Sequence, residues 1–280
     1  MGILDWCRLP MFSVKDSDGM KTIDLQATFK PTPKLLWLLC KIACLGVTAY
    51  STYKTFESAD NDLFRIAYLT RWGFVVSTLY LISSIITLFA AFPLEVKEPP
   101  GVNTIIAPTS ARITWGLFVI AINVEIFITC MYWVLVFDGE PLFFSNIYDH
   151  GGLMLVVAFD GYFIHRIPIR FKQIGLVYMV EVSYLLWTVI HALAGIGNPD
   201  FTEDLEGMDD DALYSSLNWK ERTGASGVLA VLVIAVAVPI IFLITWSISV
   251  IVPRRYLNSN EKDEERQGFD DDNDIQAVAY

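Results

Sequence analysis

Six long runs of apolar residues, separated by short polar segments, set the pattern of this chain. Each run approaches the roughly 20 residues that an α-helix needs to cross the hydrocarbon core of a bilayer. The ten-residue alternation typical of a membrane β-barrel is missing, and helices satisfy their own backbone hydrogen bonds in lipid. The pattern therefore predicts an all-α polytopic transmembrane helical bundle. The six predicted spans are residues 35–53, 72–92, 113–137, 147–164, 171–194 and 226–252.

The composition fits a body that lies mostly in lipid, because 54% of the residues are hydrophobic and only 18% are charged. The net charge of −11 comes largely from residues 200–211 and 261–274. No basic surface indicates a nucleic-acid partner. We expect residues 1–34 to form a cytosolic N-terminal segment, 35–252 the six-helix domain, and 253–280 an acidic, disordered cytosolic tail.

The distribution of basic residues between the spans predicts the orientation. Fourteen Lys and Arg residues lie in the segments on the side of the two termini, five lie in the segments on the opposite side, and Lys41 lies within a span. Connections rich in Lys and Arg stay in the cytosol. The sequence therefore predicts a multi-pass protein with both termini in the cytosol.

Two acidic residues, Glu125 and Glu181, lie near the middle of the third and fifth predicted spans. A charge at that depth costs about 3 kcal/mol on insertion scales, so both carboxyls need an explanation. One interpretation is a neutral carboxyl bonded to Asn123, Ser183 or a neighbouring helix, and the other is an ion pathway. Lys41 lies about two turns inside its span, and we expect it to extend to the cytosolic surface.

Three polar residues fall in one layer at the non-cytosolic face, because Thr70 and His150 enter helices there and His191 leaves one. A hydroxyl and an imidazole at one depth can form a nucleophile and general-base pair, with Asp149 or Glu140 orienting the base. The structural alternative is that Thr70 caps its helix and that the histidines form hydrogen bonds between helices.

Four short motifs resemble the six-span rolling stone family, which is named after a myoblast-fusion protein. They are the run Tyr68–Trp72, the stretch from Trp115 to Trp133, the stretch from Asp160 to Arg170, and the segment from Tyr214 to Trp219. The resemblance extends over about residues 64–252. It implies a six-helix membrane protein, and it does not by itself imply membrane fusion.

More distantly, the layout is similar to the androgen-induced membrane hydrolase family, whose members cleave fatty-acid esters of hydroxy fatty acids. In that family a Thr after the first helix and a His at the fourth carry the reaction. The resemblance implies Thr70 as nucleophile and His150 as base. The match at Leu69 and Thr70 is good, whereas Leu153 stands where an Asn is expected.

Three interpretations therefore remain. A non-enzymatic membrane role of the rolling stone type stands first, an intramembrane Thr/His hydrolase of lipid esters second, and a proton-coupled transporter using Glu125 and Glu181 third. Membrane lipids are the expected partners. The chain carries no P-loop, dinucleotide fingerprint or metal-spaced His/Cys cluster, so we expect neither a cofactor nor a metal.

Overall fold

The computed structural model describes residues 11–14, 22–57, 64–90, 106–137, 139, 142–196, 198 and 212–256. These residues form a helical bundle without a β-strand. The α-helices are α1 (Leu25–Phe29), α2 (Lys34–Glu57), α3 (Leu69–Phe89), α4 (Thr109–Met131), α5 (Phe144–Ile147), α6 (Leu153–Ala158), α7 (Ile174–Ala194), α8 (Thr223–Leu232) and α9 (Val238–Ile251). The predicted fold class is confirmed, while the acidic loop at 200–211 and most of the acidic tail lie outside the described residues.

Five helical stretches are long and apolar enough to cross a membrane. Each overlaps one of the predicted spans. The second stretch begins three residues before its predicted start, so Thr70 lies in the first turn of α3 rather than before it. The five stretches are Lys34–Lys54, Leu69–Phe89, Thr109–Val136, Phe171–Ala194 and Thr223–Ile251.

The fourth predicted span is not among these five stretches, but it is helical over residues 144–165. We call this segment the interrupted helix, because π-helical turns at Tyr148–Gly152 and Phe159–His165 flank α6. Asp149, His150 and Asp160 lower its mean hydropathy. At 1.5 Å per residue the segment is about 33 Å long, which is sufficient to cross the hydrocarbon core.

The two ends of the described chain meet at one end of the bundle, which we call the inner end. The Asp24 amide donates to the Arg255 carbonyl at 2.9 Å, and Ile23 forms an antiparallel bridge with Tyr256. Between these contacts the chain must cross the bundle an even number of times. The five apolar stretches are an odd number, so the interrupted helix must also cross the bundle, which gives six crossings in all. The opposite end, with residues 64–68 and 212–222, is the outer end.

A close approach of α3 and α4 positions one of the intramembrane carboxyls. A Cβ atom on Gly73 would lie 2.5 Å from Ile128 Cδ1 and 3.0 Å from Glu125 Oε1, so only glycine fits there without a shift. Ser77, one turn further along α3, donates to Glu125 Oε1 at 2.8 Å. Glu125 thus bonds to a neighbouring helix, as one of the two interpretations expected, although its partner is not Asn123.

A buried ion pair joins α2 to the interrupted helix, and it contradicts the expectation that Lys41 extends to the surface. Lys41 is 1% exposed, and its Nζ forms an ion pair with Asp160 and donates to Ser84 Oγ at 2.8 Å. Tyr80 donates to the second oxygen of Asp160 at 2.7 Å, and His165 Nε2 lies 3.7 Å from that oxygen. Lys41 stays buried because a carboxylate on another helix compensates its charge at the same depth.

Candidate functional site

A cavity of about 570 Å³ opens in the outer half of the bundle. Its wall combines the start of α3, the end of α4, the middle of α7, the segment before α8 and part of α8. Apolar side chains such as Phe127 and Leu185 cover most of this wall, and a few polar groups converge on it. A mostly apolar pocket of this size with a few placed polar groups is typical of a small-molecule or lipid site.

Thr70 and His150, the two residues that the sequence singled out as a pair, both line this cavity. Thr70 is the second residue of α3 and is half-buried. The N-cap of α3 is Tyr68, so the alternative that Thr70 caps the helix is wrong. Its hydroxyl is therefore not required for the start of the helix.

His150 is held by aromatic residues at the end of α4. Its ring stacks on Tyr132 with 3.5 Å between centroids and 7° between planes. Trp133 Nε1 donates to the His150 carbonyl at 2.8 Å. The residue leaves helical geometry, with φ −118° and ψ 23°, inside the π-helical turn Tyr148–Gly152. These contacts fix the imidazole against the wall of the cavity.

The structure brings Thr70 and His150 to one cavity without joining them directly. No hydrogen bond links the Thr70 hydroxyl to the imidazole, and His150 Nδ1 is buried without a hydrogen-bond partner in the described part of the chain. Asp149 does not orient the base through Nδ1, since its oxygens accept from Arg71 Nη2 at 2.9 Å and Ser51 at 2.5 Å. Glu140 lies outside the described residues. Catalytic hydrogen bonds often tighten only in the complex with substrate.

Arg71 brings a positive charge to the same cavity. Its side chain is 14% exposed, and its guanidinium carbon lies 5.1 Å from the centre of the Phe74 ring. Nη2 is paired with Asp149, whereas Nη1 is buried and has no hydrogen-bond partner among the described residues. One arm of the guanidinium is thus fixed, and the other remains able to donate to a ligand.

Glu181 lines the cavity from α7, and Glu125 does not. Glu181 is 4% exposed, and its Oε1 atom finds no hydrogen-bond partner within the described ranges. Ser183, an expected partner, instead donates to the Met179 carbonyl at 2.6 Å. The two carboxyls therefore occupy separate environments, one bonded to Ser77 between helices and one in the cavity.

His191, the third member of the predicted outer layer, is not among the residues that line the cavity. It is 1% exposed near the end of α7, with its ring edge-on to Trp187 at 5.9 Å. Helix α7 extends about two turns beyond the level at which Trp187 Nε1 donates to the Ala67 carbonyl at 3.3 Å. His191 therefore lies further out than Thr70.

Tyr214 lines the cavity at the outer end, whereas its sequence context indicated only the start of a family-like motif, without a role in a site. Its hydroxyl accepts from the Leu69 amide at 3.3 Å and lies 3.3 Å from the Tyr184 hydroxyl. Its ring meets that of Tyr68 edge-on at 5.7 Å. Burial raises the pKa of Tyr214, so the hydroxyl stays protonated at neutral pH.

Comparison of the chain with protein-family models, with curated proteins and with solved structures finds no match. The function is therefore inferred from the residues and geometry of the cavity.

The backbone around the cavity departs repeatedly from α-helical geometry. Three π-helical turns contribute residues to its wall: Tyr132–Val136, Tyr148–Gly152 and Val233–Ala237. Single π-helical turns inside α-helices are often found at functional sites, because they redirect side chains at a cost in stability. Their concentration here supports a function for this cavity.

Proposed function

We propose that the chain is an intramembrane hydrolase of lipid esters, in which Thr70 is the nucleophile and His150 the general base. One observation carries the proposal. Thr70 and His150 are 80 residues apart in sequence, and both line the same buried cavity. Arg71 also lines that cavity, and one arm of its guanidinium has no hydrogen-bond partner in the part of the chain that the structure describes.

The reaction follows from these three groups. The Thr70 hydroxyl attacks the ester carbonyl while the His150 imidazole takes its proton, which gives a tetrahedral intermediate. The alcohol leaves with the proton from His150, and an acyl-threonine remains. A water molecule, deprotonated by His150, then attacks the acyl group and releases a fatty acid, and Thr70 regains its proton.

Arg71 is placed to stabilise the charge that develops on the ester carbonyl oxygen. Arg71 lines the cavity, and its buried Nη1 atom has no hydrogen-bond partner among the described residues, so a side-chain adjustment would bring a free donor to the substrate. Donors fixed in a site of low polarity stabilise an oxyanion by a few kcal/mol each. The Asp149 contact holds the guanidinium in place without occupying this donor.

We also propose that the chain is of the rolling stone type. The residues that carry the resemblance lie far apart in sequence, and several of them meet around the cavity. Tyr68, Tyr132 and Tyr214 all line it, together with Thr70 and Arg71. Asp160 belongs instead to the buried ion pair near the inner end.

A non-catalytic role of this type, in which the cavity binds a lipid without cleaving it, is the second candidate. The lack of a hydrogen bond between Thr70 and His150 favours it. Turnover separates the two candidates. Purified protein in lipid nanodiscs should release fatty acid from long-chain esters faster than nanodiscs alone. Saturable lipid binding without release of fatty acid would leave the non-catalytic role.

We further propose that the inner end of the bundle faces the cytosol. The fourteen-to-five excess of Lys and Arg supports this orientation. Antibodies should reach epitope tags at residues 1 and 280 only after the cytosol is opened, and they should reach a tag within residues 203–210 from the opposite side. Terminal tags on opposite faces would contradict the even number of crossings.

A further inference from the structure

We propose that Glu181 binds a free hydroxyl group on the alcohol half of the lipid ester. The site would then select hydroxyl-bearing esters, of which the monoacylglycerols are the simplest class. This inference rests on the proposed hydrolase function and adds a substrate class to it.

The first step is the position of the Glu181 carboxyl. Its side chain is almost completely buried and lines the cavity, and its Oε1 atom has no hydrogen-bond partner among the described residues. A buried polar atom without a partner costs about 1–3 kcal/mol of stability. A leucine at this position would fit the apolar wall without that loss of stability. The carboxyl is therefore best explained by a ligand that supplies the missing hydrogen bond.

The second step is the depth of Glu181 in the bundle. Tyr184 and Trp187 of α7 lie beside Ala67, since both side chains reach its carbonyl oxygen, at 3.2 and 3.3 Å. Glu181 is one turn, about 5 Å, further in along α7. Thr70, in the first turn of α3, also lies further in than Ala67, and both Thr70 and Glu181 line the cavity. The carboxyl and the nucleophile therefore lie at comparable depth, so Glu181 can contact groups next to the ester bond.

The third step is the charge of the carboxyl. Arg71 and His150 are the basic residues in the wall, and no ion pair joins either of them to Glu181 in the described structure. A carboxylate without a counter-ion is costly at this depth, so the neutral acid is favoured. A neutral carboxyl both donates and accepts hydrogen bonds, and a ligand hydroxyl does the same. An alkyl ester lacking that hydroxyl would leave Glu181 unsatisfied.

The test uses two lipids, one with free hydroxyl groups on its alcohol half and one without. Monooleoylglycerol and ethyl oleate carry the same acyl chain. The Thr70→Ala variant is used because it should not hydrolyse either lipid, so that binding can be measured alone. The Thr70→Ala protein should bind monooleoylglycerol about tenfold more tightly than ethyl oleate, which is the effect of one net hydrogen bond. Adding Glu181→Leu should abolish this preference. Adding Glu181→Gln should keep most of it, because an amide also donates and accepts.

Glu125→Leu is the matched control, since it removes a buried carboxyl outside the cavity and should leave the preference unchanged. Glu181→Leu should also raise the melting temperature of the protein, because it removes an unpartnered polar group. A preference that survives Glu181→Leu would overturn the inference. The inference would also be overturned if Glu181→Leu lowered the melting temperature and weakened the binding of both lipids equally. Glu181 would then be a structural residue.

The two proposals fail separately. If the wild-type protein cleaves no ester but the binding preference depends on Glu181, the hydrolase proposal falls and the hydroxyl contact stands. If esters are cleaved at Thr70 and the preference does not depend on Glu181, only the inference about Glu181 falls.

Discussion

Replacement of Asp160 by leucine is expected to destabilise the protein by about 3–5 kcal/mol, because it leaves the buried Lys41 ammonium without its counter-ion. That loss is a large part of the roughly 5–15 kcal/mol by which a typical domain is stable. Lys41→Met should be damaging for the reciprocal reason. The midpoint of thermal unfolding of the purified protein in detergent measures the effect.

The double variant Lys41→Met with Asp160→Leu should recover most of this stability. Removing both members of a buried ion pair is often nearly neutral, whereas removing one leaves an uncompensated charge. Glu125→Gln is a control of comparable burial, because glutamine still accepts from Ser77 and should change stability by about 1 kcal/mol or less. A double variant whose destabilisation equals the sum of the two single losses would show that Lys41 and Asp160 contribute independently, and it would contradict the pairing.

Thr70→Ala and His150→Ala are each expected to reduce ester hydrolysis by about 10³-fold or more. The double variant should lose little more than either single one, since a nucleophile and its base act as a unit. Thr70→Ser should retain measurable turnover because it keeps the hydroxyl. Release of oleate from monooleoylglycerol in nanodiscs provides the measurement.

His191→Ala is the matched control for His150→Ala, because His191 is a buried histidine outside the cavity wall. Its hydrolysis rate should stay close to that of the wild-type protein. If His191→Ala and His150→Ala lowered turnover equally, the loss would reflect general damage to the bundle. Additive losses in the Thr70 and His150 double variant would contradict a common catalytic unit.

The helical spans followed from the sequence because hydropathy over about 20 residues is a local property. The stretch 171–194 was predicted to the residue. The interrupted helix at 144–165 was harder, since Asp149, His150 and Asp160 reduce its apolarity. That this helix crosses the bundle follows from the contact between residues near the two chain ends. This contact depends on the whole fold and not on the local sequence.

The Lys41–Asp160 ion pair could not be predicted, because its members are 119 residues apart and no local pattern marks them as partners. Lys41 considered alone suits a surface position at a helix end. The close approach of α2 to the interrupted helix decides its burial. Interactions between helices therefore account for the main error in the sequence analysis.

Counting spans places Thr70 and His150 at one face of the bundle together with His191, and the distant resemblance to the hydrolase family implies the first two as a pair. The other groups of the cavity were not predictable. The role of Arg71 depends on its ion pair with Asp149. The role of Tyr214 depends on its hydrogen bonds with the Leu69 amide and the Tyr184 hydroxyl. His191 was grouped with the pair because depth was inferred only approximately from span limits.

The most direct test of the account is the identity of the residue that an alkyl fluorophosphonate modifies. A nucleophilic hydroxyl displaces fluoride from phosphorus and keeps the phosphonyl group, so mass spectrometry of peptides locates the nucleophile. The account predicts one adduct, on Thr70, that His150→Ala abolishes. An adduct on Ser215 or Ser216, whose hydroxyls also line the cavity, or no adduct at all in protein that cleaves esters, would contradict it.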